Sequence, residues 1–232
     1  MEITSPLYHG TTASNVYAIA VEGFRIGDIR HGRERGRGLY LSTLSGAAMW
    51  GDYLVKCELA AGTRILWHEE VDRSVIKYLS REFGRGVLSP DFWKVLPANK
   101  QLKRTEITAL FHHFIHEAYF KTLRKRNKRD DLLRSCFSRI YSELRAHGFD
   151  GVCINWPDSP ELMLFNPSQA KVLSIHTWSF QPTTDRMRFW DFPYDEGVIL
   201  SKPIGLQTLE EIQKRGRVDE GLSDDELGKE PE

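Results

Sequence analysis

Apolar and polar residues alternate with a period of two in six short stretches, and the middle of the chain changes to a helical period. The alternation predicts strands over Pro6 to His9, Gly38 to Thr43, Tyr53 to Ala60, Phe149 to Asn155, Leu162 to Asn166 and Val172 to Trp178. Ala13 to Val21 reads as a helix, with Thr12 or Ser14 as N-cap and Gly23 as terminator. Ser45 to Trp50 reads as a short helical turn, so the first sixty residues follow a β-α-loop-β-α-β order. Between about residues 69 and 147, Ile107, Leu110, Phe111, Phe114, Ile115 and Ala118 recur at helical spacing, as do Leu132, Leu133, Cys136, Phe137, Ile140 and Leu144. The last three strands are punctuated by Pro157, Pro160 and Pro167. Strands flanking a helical block predict an α+β domain over 1–180 with a helical insertion at about 69–147, followed by an extension over 181–232.

Composition narrows the class without naming it. The 232 residues are 41 % hydrophobic and 28 % charged, enough to bury a core, and this excludes a wholly disordered chain. Zero net charge excludes a protein basic throughout, although it leaves local patches open. Residues 210–232 hold nine Asp or Glu against four Lys or Arg, so the last dozen are expected to be disordered. Cys57, Cys136 and Cys153 each lie in an apolar pattern without a Cys-x-x-Cys spacing, which suits reduced, buried thiols. The first twenty residues lack the signature of a secretory signal, and no window approaches eighteen uninterrupted apolar residues. The expectation is a cytoplasmic protein with no membrane segment, one that a dedicated machine could still export as an effector.

Three short segments carry chemistry. Glu161 begins the apolar run Glu-Leu-Met-Leu-Phe165-Asn-Pro167, a setting that holds a carboxylate on rigid backbone at a sheet rim. Leu7-Tyr8-His9-Gly10-Thr11 supplies a histidine, and Gly36-Arg37-Gly38-Leu39-Tyr40-Leu41-Ser42 a tyrosine, in similar strand settings. A histidine, an aromatic ring and a carboxylate on three strands can hold NAD and break its glycosidic bond. Expulsion of nicotinamide builds positive charge on the ribose, and a carboxylate such as Glu161 near the 2′-hydroxyl stabilises that transition state. Tyr40 can stack on nicotinamide, with Trp50 or Tyr53 as the opposing ring. Gly10 lets backbone N–H and C=O approach the carboxamide closely. The segment from Arg30 to Gly38 carries four arginines against Glu34 and reads as a pyrophosphate-facing lid that includes Arg37.

The segments and their order resemble the ADP-ribosyltransferase superfamily, in the branch with a His-Tyr-Glu triad that includes the poly(ADP-ribose) polymerases and diphtheria toxin. Tyr53 to Leu59 and Gly151 to Ile154 match the flanking strands, so the resemblance covers roughly 1–62 and 148–176. It implies a split antiparallel β-sandwich around an NAD cleft, with NAD as substrate. It further implies that His9, Tyr40 and Glu161 form the catalytic set, that His9 bonds the adenosine ribose, and that Thr11 or Ser45 bonds the carboxamide. Ser42, which closes the tyrosine motif, joins the NAD-contacting residues. Residue 159 is Ser, so the Glu-x-Glu arrangement of arginine-modifying toxins is absent and arginine is a less favoured acceptor.

Singly, each feature has a plainer reading: His9 as a strand-end residue, Tyr40 as core, Glu161 as a solvated edge charge. Their order and spacing favour the joint one. His112 and His116 lie four apart beside His113 and Glu117, but without a His-Glu-x-x-His motif or a fourth ligand no metal is expected. Lys121, Arg124, Lys125, Arg126, Lys128 and Arg129 form a basic corner, either solvated or contacting the phosphates of a nucleic-acid acceptor. The expected activity is transfer of ADP-ribose from NAD to a protein or nucleic acid, by analogy in a bacterial toxin or effector with a possible antitoxin or immunity protein. The rivals are an NAD glycohydrolase and a non-catalytic module binding NAD or nucleic acid.

Overall fold

The computed structural model describes residues 6–26, 38–67, 73–83, 102–114, 139–155, 161–181 and 197–219. Its strands are Leu7–Thr11 (β1), Leu39–Ser42 (β2), Tyr53–Leu59 (β3), Ile65–Leu66 (β4), Gly151–Asn155 (β5), Glu161–Leu164 (β6), Ala170–Phe180 (β7) and Val198–Leu200 (β8). Among the described residues the helices are Val16–Glu22 (α1), Leu44–Ala48 (α2), Arg73–Phe83 (α3), Arg104–Phe114 (α4), a segment over 139–146 (α5) and Leu206–Asp219 (α6). The strands hydrogen-bond in the order β4-β5-β6-β2-β1-β3-β7-β8, antiparallel throughout except for β4 beside β5. The expected α+β class and antiparallel pairing are present, and no described helix is long and apolar enough to cross a membrane.

Alternation along the strands sorts side chains onto two faces. On one face Leu7, Leu39, Leu41, Val55, Cys57, Cys153, Leu162, Leu164 and Ile175 form a core covered by α1 and α6 through Val16, Leu209 and Ile212. The opposite face has two covers. Over β5 and β6, Val152 and Met163 pack with Leu79 of α3, Ile107, Leu110 and Phe111 of α4, and Ile140, Tyr141 and Leu144 of α5. Over β1 and β3, Tyr8 and Leu54 pack with Ala47 and Ala48 of α2 and Val198 of β8. The helical insertion therefore covers one half of one face and leaves the other half to α2.

The two halves of the sheet meet weakly. β2 registers four residue pairs with β6, and β1 registers five with β3, whereas β1 and β2 share a single pair, Tyr8 with Ser42. A ladder reduced to one pair leaves backbone groups of Tyr40 available to other partners.

Helix α1 starts later than its sequence suggests. Its N-cap is Asn15, which makes no side-chain cap bond, and Thr12 and Ser14 bond each other through their hydroxyls at 2.8 Å instead. Gln213 of α6 supplies the missing acceptor: its Oε1 takes the Ala18 N–H at 2.8 Å. Gly23, at φ 79°, ends the helix as expected. The helix α6 itself was not predicted, and it closes the sheet by packing on α1. Burial pushes the thiols of Cys57 and Cys153 up to about 12, in keeping with inert core thiols. Cys136, the basic corner at 121–129 and the acidic end from 220 onward lie outside the described residues.

Candidate active site

Glu161, Tyr40 and His9 come from three parts of the chain and sit on adjacent strands β6, β2 and β1. Pairing places Glu161 opposite Ser42, and Ser42 opposite Tyr8, so these three residues form one row across the sheet. Tyr40, two residues before Ser42, pairs with Met163 in the next row on the same face. On its other side Glu161 pairs with Asn155 of β5. The row lies where the cover changes from the insertion helices to α2, with Tyr40 half-buried against the insertion core. Tyr8 and Ser42 are buried, and Glu161 is partly exposed. A carboxylate and a tyrosine thus share a face at the junction of the two half-sheets.

His9 belongs to the other face. It pairs with Val55, and its ring meets Phe24 edge-on at 5.3 Å, so the imidazole does not converge with the Tyr40 ring and Glu161 on one surface. It reaches the same junction through the backbone: Nδ1 lies 2.9 Å from the Tyr40 carbonyl oxygen, a bond in the gap left by the one-pair ladder. A carbonyl can only accept, so Nδ1 carries the proton. Burial lowers the His9 pKa, opposed by this bond to Tyr40, and the ring is neutral at pH 7. Nε2 is then an acceptor. It makes no hydrogen bond among the described residues.

The segment after Tyr40 builds the wall. Thr43 caps α2 by accepting the Gly46 N–H at 3.3 Å, and its hydroxyl lies 3.4 Å from the buried Ser45 hydroxyl. Gly10 lies under α2 so closely that a Cβ would overlap the Ala47 carbonyl oxygen, with the Trp50 Cβ next in line. The expected close backbone approach at Gly10 therefore serves α2. Trp50 follows α2 on this side with 67 % of its surface exposed, beside Met49 at 50 %. Tyr53 pairs with Thr11 and packs into the core of the opposite face. Of the two rings expected to oppose Tyr40, Trp50 is thus on the Tyr40 side and Tyr53 is not. Thr11 is buried, and its backbone is covered by Gly51, whose carbonyl accepts the Trp178 indole N–H at 2.9 Å.

Arg37 and the rest of the arginine-rich lid lie outside the described residues, as do His116 and Glu117. His112 is buried on α4 against Phe111, at 5.2 Å between rings. An open groove of about 480 Å³ lies between Glu22–Ile26 and Asn166–Ala170. It does not include Tyr40 or Glu161, but Phe24 links its wall to His9. The sequence reading missed Phe24, Tyr8 and Asn155 as neighbours of the set. The ladder partners Tyr8 and Asn155 emerge only once register is known, and Phe24 follows the helix-ending glycine without any pattern of its own. No protein-family model, curated protein or solved structure matches this chain.

Proposed function

We propose that the protein transfers ADP-ribose from NAD to a macromolecular acceptor and releases nicotinamide. The observation that carries this reading is the strand order β6-β2-β1, which brings Glu161, Tyr40 and His9 to neighbouring strands from positions up to 152 residues apart. The strands form one continuous sheet, and the short β1–β2 pairing marks where a cleft would open in it.

In this reading Tyr40 and Trp50 hold the nicotinamide ring between them, a contact favourable in the ground state. Neutral His9, on the opposite face, acts through the bond from Nδ1 to the Tyr40 carbonyl, which holds the tyrosine strand in place. Glu161 accepts from the nicotinamide ribose 2′-hydroxyl, and its negative charge counters the positive charge that grows as the glycosidic bond breaks. Of the two residues assigned to the carboxamide, Ser45 lies in α2 next to the tyrosine strand, whereas the Thr11 backbone is covered by Gly51, so Ser45 takes the role. The acceptor nucleophile then attacks the ribose carbon that nicotinamide has left.

The test is incubation with NAD labelled in its adenylate half, alone and with whole-cell lysate, followed by protease or nuclease. Label that enters macromolecules while nicotinamide appears supports transfer. Free ADP-ribose as the sole product would make water the acceptor, and no nicotinamide release would refute the reading.

A further inference from the structure

At the end of β5 and β6 farthest from Glu161, three guanidinium groups rest on two buried phenyl rings. Arg64 and Arg104 lie 5.6 and 4.9 Å from the centre of the Phe149 ring, and Arg145 lies 5.1 Å from that of Phe165. Arg145 also donates to the Phe165 carbonyl at 3.1 Å, and the Phe165 N–H bonds the Asp150 carbonyl at 2.8 Å, which joins the two rings into one rim. All three arginines and the adjacent Lys103 are exposed. Stacking fixes a planar guanidinium while leaving its N–H edges open.

The rim segments carry acids as well as bases, but among the described residues none of the three arginines forms an ion pair with a carboxylate. Of the acids in these segments, Asp150 accepts the Arg64 backbone N–H at 2.8 Å, and buried Glu106 accepts that of Lys103 at 2.8 Å. Glu143, one turn before His147 on α5, is the third. Cations held on rigid supports without an ion-pair partner suit a ligand with repeated anions. A protein interface would call for exposed apolar anchors, yet among the described residues the segments that supply the rim expose no large hydrophobic.

We propose that Arg64, Lys103, Arg104 and Arg145 bind the phosphodiester backbone of a nucleic acid. The rings beneath them belong to the core cluster on which Tyr40 packs, so the rim and Glu161 lie on one side of the sheet. From Gly151, opposite Leu164, to Asn155, opposite Glu161, β5 advances roughly 13 Å at ~3.3 Å per residue. That is about four nucleotides at ~3.4 Å each along one strand. The inference rests on the transferase reading only in making this nucleic acid the acceptor, and binding is measured without NAD.

The experiment is fluorescence polarisation of the full chain with a labelled 20-nucleotide single strand and the matching duplex at several salt concentrations. Wild type should bind one or both, with affinity falling as salt rises. Arg64→Gln, Arg104→Gln and Arg145→Gln combined should weaken binding at least tenfold and flatten the salt slope by about 2, at ~0.7 per lost contact on a single strand. NAD turnover without acceptor should stay unchanged. Lys103→Gln with Arg104→Gln spares the Arg145 hydrogen bond and should lose several-fold even if the triple variant misfolds. Absence of wild-type binding, equal binding by the folded variants, or equal competition from polyglutamate would overturn the proposal. Loss of NAD turnover in every form with binding intact would refute the transferase reading alone.

Discussion

The Nδ1 of His9 and the carbonyl oxygen of Tyr40 lie 2.9 Å apart, across the junction where β1 and β2 share one ladder pair. This bond ties the histidine to the tyrosine strand, fixes the imidazole tautomer, and makes the position of one site residue depend on the other.

A pH dependence follows. Burial holds the His9 pKa below its ordinary value of 6.5, so as pH falls the unfolded chain takes up this proton before the folded one. The stability contributed by neutral His9 is full above about 6.5 and is lost as pH drops toward the folded pKa. Urea midpoints at pH 7.5 and pH 5.5 should therefore differ more for wild type than for His9→Gln. An equal drop in both would show that His9 does not enter folding neutral.

Tyr40 is half-buried against the insertion core, so truncation to alanine would mix packing with binding. Tyr40→Leu keeps apolar volume and removes the aromatic face. Steady-state kinetics should show the KM for NAD rising on the order of tenfold, equivalent to ~1–1.5 kcal/mol of stacking, with a smaller change in kcat. Unchanged KM would assign Tyr40 to the core alone.

Gly10 tests the wall. A Cβ there would overlap the Ala47 carbonyl oxygen, a backbone atom that can yield only if α2 shifts. Gly10→Ala should lower stability by about 1–3 kcal/mol in chemical denaturation and depress NAD turnover with it. Full stability would mean that α2 is more loosely held than its packing indicates.

The strands were legible because period-two alternation survives in short stretches: β1, β2, β3 and β6 fall within one or two residues of their predicted spans. β4 and β8, at two and three residues, are too short for any period to register. The N-cap of α1 escaped because its acceptor, Gln213, lies 195 residues away, and helix α6 lies in the extension after residue 181, for which no element was predicted. Within the site, the residue types and their order were readable, and the expectation of three strands matches β6, β2 and β1. The face of each side chain was not. One residue of phase separates His9 from Tyr8, and that phase is set by the ladder with β3.

The central claim is that Glu161 serves the chemistry of NAD cleavage, and Glu161→Gln tests it most directly. The substitution preserves size, and at a partly exposed strand start it should leave stability within roughly 1 kcal/mol of wild type. Nicotinamide release from NAD, followed by chromatography on purified wild type and variant, should fall by at least two orders of magnitude in the variant, on the scale of losing one transition-state contact, about 10²–10³. Turnover near the wild-type level in a folded Glu161→Gln protein would contradict the account.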